Sequence, residues 1–400
     1  MSTPTNELKY FEKLNISSLN IETIKKIIKK NIKYTLMAWD NKKNVDRQCF
    51  HIIGPAGVGK TDIMKQISEE ITKETGKNFD TIIIKAPVLF KDDMIVPFPV
   101  SDSKFKMLYS DFVPNENQEY GIFVIDEFAR GDHALQQLMW QVQNEYAIHT
   151  FKFPKGWFVV SLDNPDDREY SMNTFEDAAG LRRQLHFFVQ LSVVDFLNHA
   201  RKKEFHDYVI QFIETYPEYL YDFDSQRKGA VYANPASWEK VSDHLIKYDQ
   251  EKDGIRNNTD EIEIVISGLL NINMANIFIS FVKDKDSHIT PSDIFNSYKK
   301  VEKKIKGYVK EGDNAKLSEL VNSLCIFLSS NMPKYDDKNI DNVATFLSTI
   351  PLDTSVIFAT HIDTLDKKGE SIRYFLMLNN KLVEKSDRYK EVFFERLASM

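Results

Sequence analysis

Residues 54–61 have the sequence Gly54-Pro55-Ala56-Gly57-Val58-Gly59-Lys60-Thr61, which matches the phosphate-loop pattern G-x-x-x-x-G-K-[ST] at every position. An apolar run, Cys49–Ile53, precedes this loop, and a segment with helical periodicity, Thr61–Thr75, follows it. The motif needs this context, because successive backbone N–H groups and the positive end of a helix together bind phosphate. The sequence therefore predicts a phosphate site where the first strand of a sheet gives way to a helix.

Two side chains of the loop have specific expected roles. Lys60 is expected to contact the β- and γ-phosphates of ATP, and the Thr61 hydroxyl is expected to hold Mg²⁺. The chain has 14 glycines in 400 residues, and three of them lie in this loop. The alternative is a glycine-rich turn that matches the pattern by chance. We assign the nucleotide contacts to nine consecutive residues: Gly54, Pro55, Ala56, Gly57, Val58, Gly59, Lys60, Thr61 and Asp62.

A second apolar run ends in two adjacent acids, Asp126 and Glu127. In a parallel sheet, ligands bind outside the carboxyl ends of the strands, so these acids should emerge beside the phosphate loop. We assign Asp126 to the Mg²⁺ shell and Glu127 to the polarisation of the attacking water. The alternative is that the two acids only cap the next helix, which is expected to begin at Gly131.

Two further polar positions follow predicted strands or precede them. Asn164 comes after the run Trp157–Ser161 and could hydrogen-bond the γ-phosphate or the water, although asparagine before proline is also a common turn residue. Arg182 and Arg183 precede another apolar run, where an arginine can act as a finger on the nucleotide of a neighbouring subunit. A basic helix end that contacts its own acids is the equally open alternative.

The first half of the chain alternates short apolar runs with helical segments, as a parallel α/β sheet does. The predicted strands are Cys49–Ile53, Thr81–Lys85, Ile122–Ile125, Trp157–Ser161 and His186–Leu191. The predicted helices are Ile24–Leu36, Thr61–Thr75, Gly131–Tyr146, Asp195–Tyr221, Ser237–Lys247, Glu261–Lys283 and Pro291–Lys310. The lysines of the first helix are expected to form a solvated face over a docked helix, with membrane or nucleic-acid binding as the alternative.

The bulk composition is that of a globular protein, with 42% hydrophobic and 28% charged residues. The net charge of -7 gives no global attraction to nucleic acid or to anionic membranes. Two distant cysteines, Cys49 and Cys325, have no metal-ligand spacing and favour a reducing, cytoplasmic setting. We expect neither a secretory signal nor a membrane span.

The order of these motifs resembles the MoxR-like branch of AAA+ ATPases. Asp126-Glu127-Phe128-Ala129-Arg130 is similar to the D-E-x-x-R Walker B box of that branch, and Trp157–Asp167 is similar to its sensor 1 strand, which gives Asn164 that role. Leu181–His186 is similar to the segment with the arginine finger, which the alignment places on Arg183, with Arg182 second. Pro217–Leu220 and Asn234–Glu239 resemble signatures of the lid domain.

The resemblance implies an α/β fold, a P-loop AAA+ three-layer sandwich with a five-stranded parallel sheet of order 5-1-4-3-2. An all-helical lid and a helical C-terminal extension follow the sheet domain. We expect four parts: an N-terminal amphipathic helical segment (1–45), the nucleotide-binding domain (46–200), the lid (201–290) and the extension (291–400). The resemblance also implies ATP, Mg²⁺ and a homo-oligomeric, hexameric ring.

The sensor 2 position departs from the pattern of this branch, and two further segments occupy the places of its extra hairpins. Where its relatives commonly have the sensor 2 arginine, this chain has Ala236, so either Arg227 or Lys228 substitutes or nucleotide-driven closure of the lid is weaker. Extra hairpins are expected at Met94–Pro114 and Ala147–Gly156. Their aromatic residues either face the pore of the ring or pair across strands: Phe105, Tyr109, Phe151 and Phe153.

The expected function is that of a ring ATPase that remodels or assembles a protein client. Relatives often work with a protein that carries a von Willebrand A domain, and that is the first expectation for the partner. One alternative is a DNA- or RNA-translocating motor, against which the acidic balance argues. The other is a nucleotide-gated assembly factor with little turnover, which Ala236 favours and Glu127 argues against.

Overall fold

A computed structural model describes residues 18–101, 104–115, 117–164, 183–222, 231–250, 254–283, 289–331, 336–361 and 370–385. The chain divides into two compact units, Met1–Ser192 and Val193–Met400. The finer division into segment, nucleotide-binding domain, lid and extension stays a prediction.

The first unit is an α/β unit. Its described strands are β1 (Ser18–Leu19), β2 (Cys49–Ile53), β3 (Phe79–Lys85), β4 (Ile95–Ser101), β5 (Lys104–Tyr109), β6 (Tyr120–Asp126), β7 (Ala147–Ile148), β8 (Phe151–Lys152), β9 (Gly156–Asp163) and β10 (Gln184–Val189). Its described helices are α1 (Ile21–Asp40), α2 (Lys60–Thr75), α3 (Lys91–Met94) and α4 (His133–Glu145).

The main sheet is parallel and has the order β1-β10-β2-β9-β6-β3. Counted along the chain from β2, its five long strands follow the predicted order 5-1-4-3-2, so the predicted fold class is confirmed. The predicted number of five strands is wrong by one, because Ser18 and Leu19 pair with Phe188 and Val189 at the edge of the sheet. The N-terminal segment therefore contributes a strand as well as a helix.

The central strands β2 and β9 are mostly apolar and fully buried because the sheet is covered on both faces. All five residues of β2 and all eight residues of β9 are buried. Two apolar clusters enclose the sheet: one includes Ile63, Met64 and Ile67 of α2, and the other includes Leu135 and Met139 of α4. The helical stripe predicted for residues 131–146 is thus core.

Helix α1 packs on the sheet unit through one apolar face. The buried residues of this face are spaced four apart: Ile24, Ile28, Ile32 and Leu36. They belong to the same cluster as Phe50 and Ile52 of β2. The helix is therefore docked, as the sequence predicts.

The lysines of α1 divide into two groups. Lys26 and Lys30 are exposed, whereas Lys29 and Lys33 pair with Glu74 of α2 at 2.9 and 2.6 Å. The expected solvated face is wrong for Lys25, which is buried and pairs with Glu70 at 2.6 Å. Hydrogen bonds from Lys33 and Lys29 lower the pKa of Glu74 from its ordinary 4.5 to about 2. This pairing stabilises the fold above pH 4.5, and the contribution is lost as the pH falls through about 2.

The second unit is helical in its described residues. Its helices are α5 (Val193–Lys202), α6 (Asp207–Thr215), α7 (Pro235–Asp249), α8 (Gly254–Asn257), α9 (Thr259–Leu270), α10 (Ile272–Lys283), α11 (Pro291–Glu311), α12 (Asn314–Asn331), α13 (Asp337–Thr349), α14 (Leu352–His361) and α15 (Glu370–Lys385). The two longest predicted helices are interrupted. Residues 195–221 form α5, α6 and a short 3₁₀ helix, and residues 261–283 are broken at Asn271, whose φ is 84°.

The two sequence stretches that resemble lid signatures meet inside this unit. The buried Trp238 of α7 donates from its indole Nε1 to the backbone oxygen of Tyr219 at 3.0 Å. The ring of Phe212 lies 5.3 Å from that of Trp238 and 5.1 Å from that of Phe278. This aromatic centre therefore joins α6, α7 and α10.

None of the helices in the described residues combines the length and the apolar character that crossing a membrane requires.

Substitution of Ile28 tests the docking of α1. Ile28→Ala should lower the free energy of unfolding by about 2–5 kcal/mol, because the fully buried side chain leaves a cavity. The matched control is Met37→Ala on the same helix, where the side chain is 61% exposed and the effect should stay within about 0.5 kcal/mol. Denaturant titration followed by tryptophan fluorescence measures both, and equal effects would contradict the docking.

Candidate functional site

The phosphate loop joins β2 to α2 through a left-handed turn. Gly57 and Gly59 have φ values of 75° and 84°, which glycine adopts without steric cost. Helix α2 begins at Lys60, directly after Gly59, so the N–H groups of its first turn, which have no acceptor within the helix itself, lie at the loop. The local backbone therefore has the features of an anion-binding turn.

Lys60 is at the centre of the site. Its side chain is buried, and its Nζ donates to the backbone oxygens of Gly54 and Pro55 at 2.7 and 2.8 Å and to Asn164 Oδ1 at 2.6 Å. The structure thus brings Lys60, at the start of α2, together with the predicted sensor residue Asn164, which directly follows β9. Phosphate oxygens would be stronger acceptors than the two carbonyl oxygens, because they carry negative charge opposite the ammonium.

Thr61 and Asp126 form the second contact of the site. The Thr61 hydroxyl donates to Asp126 Oδ2 at 3.0 Å. A hydroxyl and a carboxylate are ligands that suit Mg²⁺, which commonly takes only one or two protein ligands and completes its shell with phosphates and water. Among the described residues, no cluster of three or more His, Cys, Asp or Glu could hold a metal by itself. The donor set therefore fits a metal that arrives with a phosphate ligand.

Glu127 has an unusual backbone conformation, with φ 53° and ψ 44°. A residue with a side chain pays about 1 kcal/mol or more for this left-handed region, and such residues are concentrated at functional sites. A short 3₁₀ helix, Phe128–Arg130, follows directly. Arg130 Nη1 donates to Glu127 Oε2 at 2.7 Å, and both side chains remain partly exposed.

A buried carboxylate beneath the site was not predicted from the sequence. Asp163, the last residue of β9, accepts from the backbone N–H of Ala129 at 2.7 Å, and its other oxygen lies 2.9 Å from His51 Nε2. His51 and Asp163 are both almost completely buried. A histidine in the middle of an apolar strand and an acid directly before Asn164 are the sequence signals that could have revealed this pair.

The remaining predicted residues have less specific surroundings. Pro55 is buried, Ala56 and Val58 are half-buried, and Asp62 is exposed in the first turn of α2. Arg183 is exposed directly before β10, and Arg182 lies outside the described residues. The finger role of either arginine stays a prediction.

The region expected to contain sensor 2 lies in the second unit. Ala236 occupies the first turn of α7, where Asn234 caps the helix by accepting from Ser237 N at 3.0 Å. Arg227 and Lys228, the two predicted substitutes, lie outside the described residues. The structure therefore leaves the compensation of the missing arginine as a prediction.

Both expected hairpins are present, as β4–β5 and β7–β8. Three of the four aromatic residues pack together: the Tyr109 and Phe151 rings lie 5.2 Å apart, and Phe153 is buried against Phe123. Phe105 differs, because it is 70% exposed. For the other three, packing accounts for the aromatic side chain.

The sequence matches no family model and no curated protein. Solved structures give weak similarities. The chain aligns with the Thermotoga maritima RuvB Holliday junction branch migration motor at 13% identity, covering 78% of this chain and 85% of RuvB, with a TM-score of 0.36. It aligns with NtrX from Brucella abortus at 12% identity over 86% and 68% of the two chains, with a TM-score of 0.42.

A third similarity is to Hsp104 in a closed state with casein, at 14% identity over 60% of this chain and 43% of Hsp104, with a TM-score of 0.32. Likenesses at this level do not carry an argument about activity or partners. The fold of the first unit is assigned from the sheet order and from the glycine turn between β2 and α2. On those grounds the first unit has the P-loop AAA+ fold that the sequence predicts.

Proposed function

We propose that the chain is a Mg²⁺-dependent ATPase of the MoxR-like AAA+ branch, which works as a ring and remodels or assembles a protein client. The observation that carries this proposal is the meeting of Lys60 with Asn164 and of Thr61 with Asp126. These four side chains come from the loop and from two neighbouring strands. A buried ammonium is costly for packing alone, whereas it suits the binding of phosphate.

Each residue of the site has a definite task in the proposed reaction. Bound MgATP supplies the phosphoanhydride bond that is hydrolysed. Lys60 and the loop N–H groups hold the phosphates, and Thr61 and Asp126 supply oxygen ligands for the metal. Glu127 orients the attacking water and accepts its proton, and Asn164 fixes the same region by hydrogen bonding. Arg183 acts on the nucleotide of the neighbouring subunit.

The proposed partners follow from the resemblance and from the chemistry of the chain. A finger that acts in trans needs a subunit interface at the nucleotide, which a homo-hexameric ring provides. A protein with a von Willebrand A domain is the first proposed adaptor. The proposed location is the cytoplasm, because the two cysteines, Cys49 and Cys325, are buried and form no disulfide, as is usual in a reducing compartment.

A second candidate function is a nucleotide-gated assembly factor with little turnover. The observation in its favour is Ala236, which occupies the first turn of α7 where an arginine is expected. In that case nucleotide binding would drive assembly while hydrolysis stayed slow. Turnover by the wild-type protein, compared with the Glu127 variant below, separates the two.

Replacement of Lys60 tests the phosphate site. Lys60→Ala should weaken ATP binding by roughly 100-fold or more, because at least two charge-assisted hydrogen bonds of about 1.5–3 kcal/mol each are lost. Lys65→Ala is the matched control, since Lys65 is an exposed lysine on the same helix. Calorimetric titration of both variants with MgATP measures the difference, and equal affinities would refute the assignment.

Replacement of Glu127 tests hydrolysis separately from binding. Glu127→Gln should retain ATP affinity and lose turnover by about 100-fold or more, because an amide cannot accept the proton from water. Phosphate release at saturating ATP gives the turnover, and nucleotide titration gives the affinity. Normal turnover in this variant would remove Glu127 from the mechanism.

The ATP-trapped Glu127→Gln complex can also be used to capture a client. Recovery of a protein would favour remodelling, and recovery of nucleic acid would favour the translocating motor.

A mixing experiment tests Arg183 in trans. Arg183→Ala and Glu127→Gln subunits should each be inactive alone, yet regain activity when mixed. In mixed rings, a subunit with intact Glu127 can receive Arg183 from its neighbour. The control adds the double variant Glu127→Gln/Arg183→Ala to the Arg183→Ala subunits, and this mixture should stay inactive. If the first mixture also stays inactive although the subunits exchange, the finger does not act in trans.

A further inference from the structure

The hairpin β4–β5 has two chemically different edges. The Ser110 N–H donates to the Met94 oxygen at 3.2 Å, which marks a hydrogen-bonded pair at the base of the hairpin. In an antiparallel ladder such pairs alternate with pairs whose backbone groups face outward. The register pairs Pro97 with Met107 and Pro99 with Phe105. These pairs lie three and five positions from the hydrogen-bonded pair at the base, so their backbone groups face outward.

The outward edge of β4 therefore lacks two N–H donors, because proline has none. This arrangement blocks pairing with a further strand. On the outward edge of β5, the corresponding positions are Phe105, Met107 and Tyr109, which all have an N–H group and a carbonyl group. Only the β5 edge is thus equipped to accept another strand.

The side chains of the hairpin also favour one kind of occupant. On one face, Ile95 is buried and Met107 packs against the core, whereas Phe105 at the tip is 70% exposed. On the other face, Phe98 and Leu108 are exposed at 54% and 48%. Exposed apolar side chains therefore lie on both faces of the hairpin, next to the β5 edge, which has no proline.

The charge of β5 excludes a second copy of the chain as a good partner. Lys104 and Lys106 alternate with the outward-facing residues, and the two strands contain no acidic residue. A second β5 paired on this edge would bring lysines beside lysines, which is unfavourable between neighbouring strands. An incoming strand with acids at alternate positions would instead pair with both lysines, and its apolar residues would lie beside Phe105 and Met107.

We propose that the β5 edge binds an extended, acidic segment of a protein client, with alternating apolar and acidic residues, by strand addition. This inference deepens the proposed function, because it names the class of client. The binding needs no nucleotide. Its failure and the failure of the ATPase assignment are therefore separate results.

The test uses the full chain without nucleotide and a fluorescein-labelled ten-residue peptide of alternating valine and glutamate. Fluorescence anisotropy measures the affinity for wild type, Phe105→Ala and Phe105→Pro. Both variants lose the aromatic side chain, but only the proline variant loses the outward N–H. The proline variant should bind about three- to tenfold more weakly than the alanine variant, which is the effect of one backbone hydrogen bond.

Two further measurements keep the test decisive if the proline variant does not fold. A peptide N-methylated at every residue should bind wild type at least about tenfold more weakly, because neither of its edges then has an N–H group to pair as a strand. The double variant Lys104→Glu/Lys106→Glu should lose the acidic peptide and prefer a valine–lysine peptide.

Several outcomes would overturn the proposal. These are equal affinities of the two Phe105 variants, undiminished binding of the N-methylated peptide, and an unchanged charge preference in the double lysine variant. Tighter binding of a 20-nucleotide oligo(dT) than of the peptide would assign the surface to nucleic acid. Self-association that disappears in Phe105→Pro would assign it to a second copy.

Discussion

The site depends on one buried carboxylate. Asp163 receives a hydrogen bond from the Ala129 N–H at 2.7 Å and lies 2.9 Å from His51 Nε2. These groups belong to the segment after β6 and to β2, whereas Asp163 itself ends β9. A buried charge is tolerated only when its oxygens are paired, so both partners are fixed in place by the free energy that an unpaired carboxylate would cost. Three strands are thereby held in one register at their carboxyl ends.

This register accounts for the two contacts that define the site. Asn164 follows Asp163 directly and reaches Lys60, while Asp126 ends the neighbouring strand β6 and reaches Thr61. Parallel strands present their carboxyl ends at a single edge, so residues distant in sequence become neighbours there. The phosphate loop completes the edge, because the backbone N–H of its first residue, Gly54, donates to the backbone oxygen of Asp163 at 3.1 Å.

The sequence was informative where structure is determined locally. The loop between β2 and α2 and the five long strands could be predicted, because a short motif and continuous apolar runs specify them. The order of the strands was implied only by the family resemblance. The pairing of His51 with Asp163 could not be predicted, since it joins two strands and depends on their register. The edge strand at Ser18 was missed because two residues give no periodicity, and the helix break at Asn271 was hidden by an apolar pattern that continues across it.

The conformation of Glu127 follows from the same buried carboxylate. Its left-handed backbone is unfavourable for a residue with a side chain, and it persists because the next turn is fixed on both sides. The Asp163 carboxylate accepts from the Ala129 N–H, and the Arg130 backbone N–H donates to the backbone oxygen of Glu127 at 2.9 Å. The side chain is oriented in addition by Arg130 Nη1, which donates to Glu127 Oε2. The backbone at Glu127 and the end of β9 are therefore joined through Asp163, which ties the conformation of one to the position of the other.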